Sequence, residues 1–244
     1  MSGDKMRQLP VATFKIPDDV DIPRRQCNAH GEYYGDVCDT CEREEQLRKR
    51  QASVLKYEYE ALGLPPRYFG LHIDSFKIER QGQQDAKDAV GILLEDGYKA
   101  LLFSGLVGTG KTHLACTALT HWTDRKKGKA LYTTAERMFR SIRETWKTKE
   151  PEQDVIDIFV EAKLLVIDEV VEMIGADREK KWLSEIISDR YNKEYPTIII
   201  SNLSWKELKG EGVIPPVFDE RAADKLKESG KVIVFEWESY RGKK

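Results

Sequence analysis

The stretch Gly105-Leu106-Val107-Gly108-Thr109-Gly110-Lys111-Thr112 follows the pattern of a glycine, four residues, then Gly-Lys-Thr. Glycines so spaced let backbone N–H groups point inward around phosphate oxygens, where a Cβ atom would block the approach. Lys111 is expected to reach the β- and γ-phosphates, and the Thr112 hydroxyl to ligate Mg²⁺. The apolar run Ala100–Ser104 precedes this stretch and a helix-like run, His113–Trp122, follows it. The positive end of that helix dipole therefore faces the same anions. Gly105, Gly108, Thr109, Gly110, Lys111, Thr112 and His113 are the expected contacts of a bound nucleotide, ATP. The His113 side chain, with Cys116 and His121 on the same helix, reads as packing or surface.

A second set of groups completes such a site. Leu164-Leu165-Val166-Ile167 is an apolar strand followed at once by Asp168 and Glu169. Carboxylates in this position lie at the carboxyl end of a sheet, where α/β folds bind ligands. Asp168 is expected to hold Mg²⁺ through water, and Glu169 to orient or deprotonate an attacking water. Asn202 ends the next apolar run, Thr197–Ser201. It can bond the γ-phosphate or the lytic water, or serve simply as a turn residue.

A separate chemistry is written near the N-terminus. Cys27-Asn28-Ala29-His30 and Cys38-Asp39-Thr40-Cys41 are two pairs of soft ligands separated by seven residues. Cys27, His30, Cys38 and Cys41 can converge tetrahedrally on Zn²⁺, with Gly31 and Gly35 permitting the reversal between them. Four protein ligands make a structural site. The segment is too short and polar to build a core, so metal would supply much of its folding free energy.

These groups need elements to hold them. Strands at 100–104, 130–134, 164–168, 197–201 and 232–237 alternate with helices at 85–98, 113–122, 135–149, 151–158, 177–193 and 217–227. Such alternation specifies an α/β fold, a five-stranded parallel sheet covered on both faces. Upstream, residues 1–26, with Pro10, Pro17 and Pro23, read as an extended tail. Glu42–Leu62 reads as a charged helix with Leu47, Val54, Leu55 and Leu62 on one face. That face could dock a partner or pack on its own domain. The expected division is a zinc-binding and helical partner-binding domain over 1–62 and an ATPase domain over 63–244.

Composition limits the alternatives. Forty basic and 42 acidic residues in 244 nearly cancel, so any nucleic-acid site must be a local patch. No apolar run is long enough for a bilayer and the N-terminus has no signal-peptide core, which makes a cytoplasmic location and no membrane partner the expectation.

From about Leu62 to Arg241 the sequence resembles the AAA+ ATPases of the DnaC/IstB type, above all DnaC-like helicase loaders. The resemblance rests on Leu64-Pro65-Pro66-Arg67-Tyr68, Gly105–Thr112, Leu165–Glu169, Arg190-Tyr191, Ser201-Asn202-Leu203, Asp219-Glu220-Arg221 and Trp237-Glu238-Ser239-Tyr240-Arg241. It implies the AAA+ strand order, no C-terminal helical lid and assembly into an ATP-dependent oligomer. It also implies a DnaB-type replicative helicase and single-stranded DNA as partners. On the same basis Arg221 is an arginine finger that completes a neighbouring subunit's site, and Arg241 a second sensor of the γ-phosphate. The family often carries a further arginine where this chain has Lys225, which lacks the bidentate fork and is left as a supporting charge. An IstB-like transposition helper, or an adaptor that binds nucleotide only for stability, are the competing functions.

DNA contact is expected on the helix at 135–149. Arg140, Arg143 and Lys147 follow helical spacing and could track a phosphate backbone, with Phe139 or Trp146 stacking on bases. The same pattern fits a solvated amphipathic helix whose aromatics are core.

Overall fold

The computed structural model describes residues 24–34, 36–125, 127–170, 177–211 and 216–241. The prolines of the expected tail and Gly35 lie outside the described residues, as do the side chains of Val54 and Leu55. The chain divides into two compact units, Met1–Val54 and Leu55–Lys244.

In the first unit, strands β1 (Arg24–Cys27) and β2 (Gly31–Tyr34) form an antiparallel hairpin with Cys27 opposite Gly31. Residues 24–26, expected in the tail, are thus its first strand. Helix α1 (Asp39–Ala61) starts beside Cys38 and runs on into the second unit. Its first turn carries Asp39 and Glu42, which suit the positive helix end.

The second unit is built on strands β3 (Ala100–Gly105), β4 (Ala130–Thr134), β5 (Leu164–Asp168), β6 (Thr197–Ile200) and β7 (Gly230–Phe235). All pair in parallel, in the order β4-β5-β6-β3-β7. The helices are α2 (Gln81–Leu94), α3 (Lys111–Asp124), α4 (Ala135–Thr148), α5 (Glu152–Glu161), α6 (Asp177–Asn192), α7 (Trp205–Leu208) and α8 (Glu220–Ser229).

Period-two alternation sends successive strand residues to opposite faces, and both faces are covered. Leu101, Phe103, Val166 and Ile198 pack with α2 and α3, through residues such as Val90, Leu93, Leu114 and Ala118. Leu102, Leu165, Ile167 and Ile199 pack with α4, α5, α6 and α8, through Met138, Ile142, Ile156, Leu183 and Ala222. The central strands β3, β5 and β6 are therefore largely continuous apolar runs, which is why the sequence reveals them.

Several boundaries differ from expectation. Helix α2 begins four residues before 85, because the Gln83 side chain accepts the Arg80 N–H at 3.0 Å and caps its start. It stops before Gly97 because the chain turns through Asp96 at φ 65°. Helix α8 begins at Glu220, where the Asp219 carboxylate accepts the Ala222 N–H at 2.7 Å. Strand β7 is set two residues earlier than 232–237 by its register on β3, Ala100 opposite Gly230. The hairpin and α7 have no counterpart in the expected elements.

Arg190 explains one of the resemblance motifs structurally. It is 1% exposed, and its guanidinium donates to the carbonyls of Phe159, Val160 and Pro196 and to Thr197 Oγ1. A buried cation here binds the carbonyl end of α5 to the edge of β6.

Candidate nucleotide-binding site

Loop Leu106–Gly110 joins β3 to α3 and is held from behind by the end of the chain. Leu106 N–H donates to Phe235 O (3.0 Å), Tyr240 N–H to Gly108 O (2.9 Å) and the Trp237 indole to Thr109 O (2.8 Å). Gly108 has φ 81°, and a Cβ there would run into the Ser239 side chain. A larger residue is excluded both by the left-handed backbone and by the terminal segment packed against it.

Lys111 opens α3 and is 6% exposed. Its ammonium donates to the carbonyls of Gly105 (2.7 Å) and Leu106 (2.6 Å). Burial, opposed by Asp168 and assisted by Arg241, lowers its pKa to about 8. At the end of β5, Asp168 is 4% exposed. Its Oδ2 accepts both Thr112 Oγ1 and the Tyr132 hydroxyl, each at 2.8 Å, and its Oδ1 accepts the Glu169 N–H at 2.7 Å. Glu169 is exposed, in a turn at φ 56°. At the end of β6, the Ser201 hydroxyl donates to Val170 O and accepts the Leu203 N–H, which anchors the turn that carries Asn202.

These ends meet around a cavity of about 390 Å³. Gly108, Gly110, Lys111, Thr112, His113, Asp168, Glu169, Asn202 and Arg241 all line it. Gly105 and Thr109 do not, and the Thr109 hydroxyl instead donates to Leu106 O at 2.8 Å, bracing the loop. His113 Nε2 lies 3.1 Å from Ser75 Oγ with the Phe76 ring edge-on, and burial lowers its pKa. Cys116 is wholly buried, which pushes its thiol up. Arg67, Tyr68, Tyr132 and Tyr240 also line the cavity and were absent from the expected set. Arg67, Tyr68 and Tyr240 belong to motifs visible in the sequence. Tyr132 has no such signal, being a strand residue outside every motif.

The residues present suit a magnesium–nucleotide complex. A buried lysine, the loop amides and Arg241 offer positive charge, and the Thr112 hydroxyl and Asp168 carboxylate offer hard oxygen ligands side by side. Arg221 is elsewhere. It is exposed on the first turn of α8, outside the lining of this cavity, with no hydrogen-bond or ion-pair partner among the described residues.

In the N-terminal unit, one ligand atom from each of Cys27, His30, Cys38 and Cys41 lies within 4.8 Å of all the others. Cys27 and His30 flank the hairpin turn, while Cys38 and Cys41 bracket the start of α1. His30 Nδ1 faces the three sulfurs at 3.3–3.7 Å, and its Nε2 lies 3.2 Å from Glu44 Oε1. Backbone groups at Ala29, then Cys41 and His30, lower the Cys27 pKa to about 6. This donor set could hold a metal ion, and its chemistry is that of zinc.

The expected DNA stripe is corrected at one position. Phe139 is 3% exposed and stacks on Trp182 with 6.3 Å between ring centres, so it belongs to the core and has no face for a base. The Arg143 guanidinium is engaged by the largely buried Glu179. Arg140 pairs with Glu136 one turn away, and Lys147 is exposed. Trp146, expected on the apolar side, is 52% exposed. Its indole donates to Glu152 at 2.6 Å, and the Arg178 guanidinium lies 4.9 Å over the ring.

A glycine-rich loop between a strand and a helix, a buried aspartate at the end of a second strand, and the order β4-β5-β6-β3-β7 together define an AAA+ type ATP-binding fold. The chain belongs to the IstB-like ATP binding protein family, whose sequence model matches residues 44–244. It is similar to the replicative helicase loader DnaC of Escherichia coli K12, at 24% identity over 201 residues, 80% of this chain and 79% of that protein. Among solved structures it resembles the DnaC helicase loader, with TM-score 0.60 and 21% identity, covering 70% of this chain and all of that one. It also resembles AMPPCP-bound DnaA from Aquifex aeolicus, with TM-score 0.60 and 23% identity over 71% of this chain, though it spans about half of that protein (51%). Among the described residues, no helix is long and apolar enough to cross a membrane.

Proposed function

We propose that this chain is an ATP-dependent loader that places a DnaB-type replicative helicase onto single-stranded DNA. The observation that carries the proposal is a cavity fitted for MgATP in a chain that aligns with DnaC over four-fifths of its length. Lys111 and the loop amides bind the phosphates, Thr112 and Asp168 hold Mg²⁺, and Glu169 takes the proton of the attacking water while Asn202 and Arg241 contact the γ-phosphate. When bound, Mg²⁺ offsets the charge of the phosphate oxygens.

Arg221 acts in trans. Its guanidinium on α8, outside the chain's own cavity and without a partner among the described residues, reaches the γ-phosphate held by a second copy in an ATP-dependent oligomer. Residues 1–62, with zinc held by Cys27, His30, Cys38 and Cys41, grip the helicase, and residues 63–244 form the ATPase. Arg140 and Lys147, both exposed on α4, supply the charge that meets the DNA backbone. The working location is the cytoplasm.

The family match also favours a second reading, a transposition helper that binds duplex DNA and a transposase. Gel filtration with the DnaB-type helicase of the same cell decides between them. The loader reading expects co-elution that depends on ATP and is lost in Cys38→Ser. No complex with the helicase at micromolar concentrations, with or without ATP, contradicts it.

A further inference from the structure

We infer that Tyr132 is a positioning residue, one that aims the Asp168 carboxylate at the magnesium of a bound nucleotide and ties it to the linker of residues 62–64 that follows α1. This rests on the reading of the cavity as a MgATP site.

Asp168 receives three hydrogen bonds, and they are not equivalent. Oδ1 takes the N–H of its own neighbour, Glu169, at 2.7 Å, a bond fixed by the turn at φ 56°. Oδ2 takes two hydroxyls, Thr112 and Tyr132, each at 2.8 Å. Thr112 is expected to ligate the metal through an oxygen lone pair while its hydrogen stays on Asp168, so its hydroxyl serves both groups. Tyr132 is the one of the two side-chain donors to Asp168 that has no other expected part in the metal site. A carboxylate 4% exposed meets solvent only through the cavity, so the phenol buried behind it sets how the group is turned.

Tyr132 is itself held. It is 5% exposed on β4, directly opposite Val166 of β5. Its N–H donates to Leu62 O at 2.7 Å, adding the linker to the edge of the sheet. The next residue, Gly63, has φ 73°, and a Cβ there would lie 2.5 Å from Tyr132 O. The linker backbone is therefore pressed onto β4 at the residue whose side chain reaches Asp168. Leu62 and Leu64, at 7% and 4% exposure, anchor it on both sides. A tyrosine that served only to fill space would need neither the 2.8 Å bond to Oδ2 nor a place in the cavity lining.

Tyr132→Phe removes one oxygen and leaves the ring. ATP binding to the full-length protein is measured by calorimetry, first with EDTA and then across a Mg²⁺ series. The expected result is a metal-free affinity within about twofold of wild type and a Mg²⁺ midpoint raised about tenfold, the low end for a lost partner of a metal ligand. An unchanged midpoint, with wild type responding normally to Mg²⁺, overturns the assignment alone. An equal loss of affinity with and without metal also overturns it, showing a packing role. Absence of any Mg²⁺ response in the wild type overturns the reading of the cavity, and the assignment with it.

Discussion

The Cys/His cluster draws its four ligands from residues 27 to 41, whereas the nucleotide cavity gathers side chains from Arg67 to Arg241. The first is assembled by one hairpin turn and one helix start. The second exists only when the ends of three neighbouring strands, β3, β5 and β6, are brought level by the sheet. The two regions also differ in what holds them. The cluster has no sizeable core beneath it, and its donors face one another, so a metal would supply the energy that packing does not. The cavity rests on a buried sheet, and its polar groups are already bonded before any ligand arrives: Lys111 to two carbonyls, Asp168 to three donors. One region offers metal donors in place of a core, and the other offers polar groups held on a packed sheet.

If that contrast is right, the regions should fail independently and in different ways. The largest effect belongs to Arg221. Arg221→Ala should lower ATP hydrolysis by ~10³-fold, the scale of a lost arginine finger, while ATP affinity measured by calorimetry changes little. A surface arginine with no such role would shift activity by only a small factor.

Lys111→Ala should come next, weakening ATP binding by about 100-fold through loss of a charge-assisted contact to phosphate. The same variant should keep its full zinc content by metal analysis, since the four donors all lie between residues 27 and 41.

The pH dependence is smaller. Burial lowers the Lys111 pKa to about 8, and it is the ammonium form that attracts phosphate. Affinity should therefore be level below that value and fall as pH rises through it, by at most about tenfold per unit. Because bound phosphate stabilises the ammonium, ATP binding above pH 8 should also take up protons, readable as a buffer-dependent calorimetric heat. An affinity flat to pH 10 would mean that the lysine is not the titrating contact.

The smallest effect is the sharpest test of independence. Cys38→Ser, or prolonged chelation, should release zinc and loosen the N-terminal unit, read as faster proteolysis there. ATP affinity should stay within about twofold, because the cavity is built on its own folded sheet. A parallel loss of ATP binding would show the two regions to be one cooperative structure.

The same contrast explains what the sequence made legible. The cluster and the phosphate loop are local patterns, so spacing alone named their residues. The strands were visible because burial on both faces makes them continuously apolar, as in Leu164–Ile167. Strand order was not written in any segment, and neither was the tie from Tyr132 to Asp168, which joins two strands through one hydroxyl. Phe139 shows the limit most plainly. Helical spacing put it beside both Met138 and Arg140, and only the packing of Trp182 decides that it faces inward. Trp146 went the other way, its ring left exposed under Arg178 although its spacing matched the apolar face. The terminal Trp237–Arg241 motif could be recognised, but its work on the backbone carbonyls of Gly108 and Thr109 needed the fold.

On the proposed function, a cavity complete for binding on one chain becomes complete for hydrolysis only with Arg221 of another. Mixing Arg221→Ala protein with Lys111→Ala protein tests this most directly, because some interfaces then pair an intact Lys111 with an intact Arg221. The mixture should recover DNA-stimulated ATP hydrolysis that neither variant shows alone. Mixed assemblies confirmed by cross-linking, yet with no recovered hydrolysis, would contradict it.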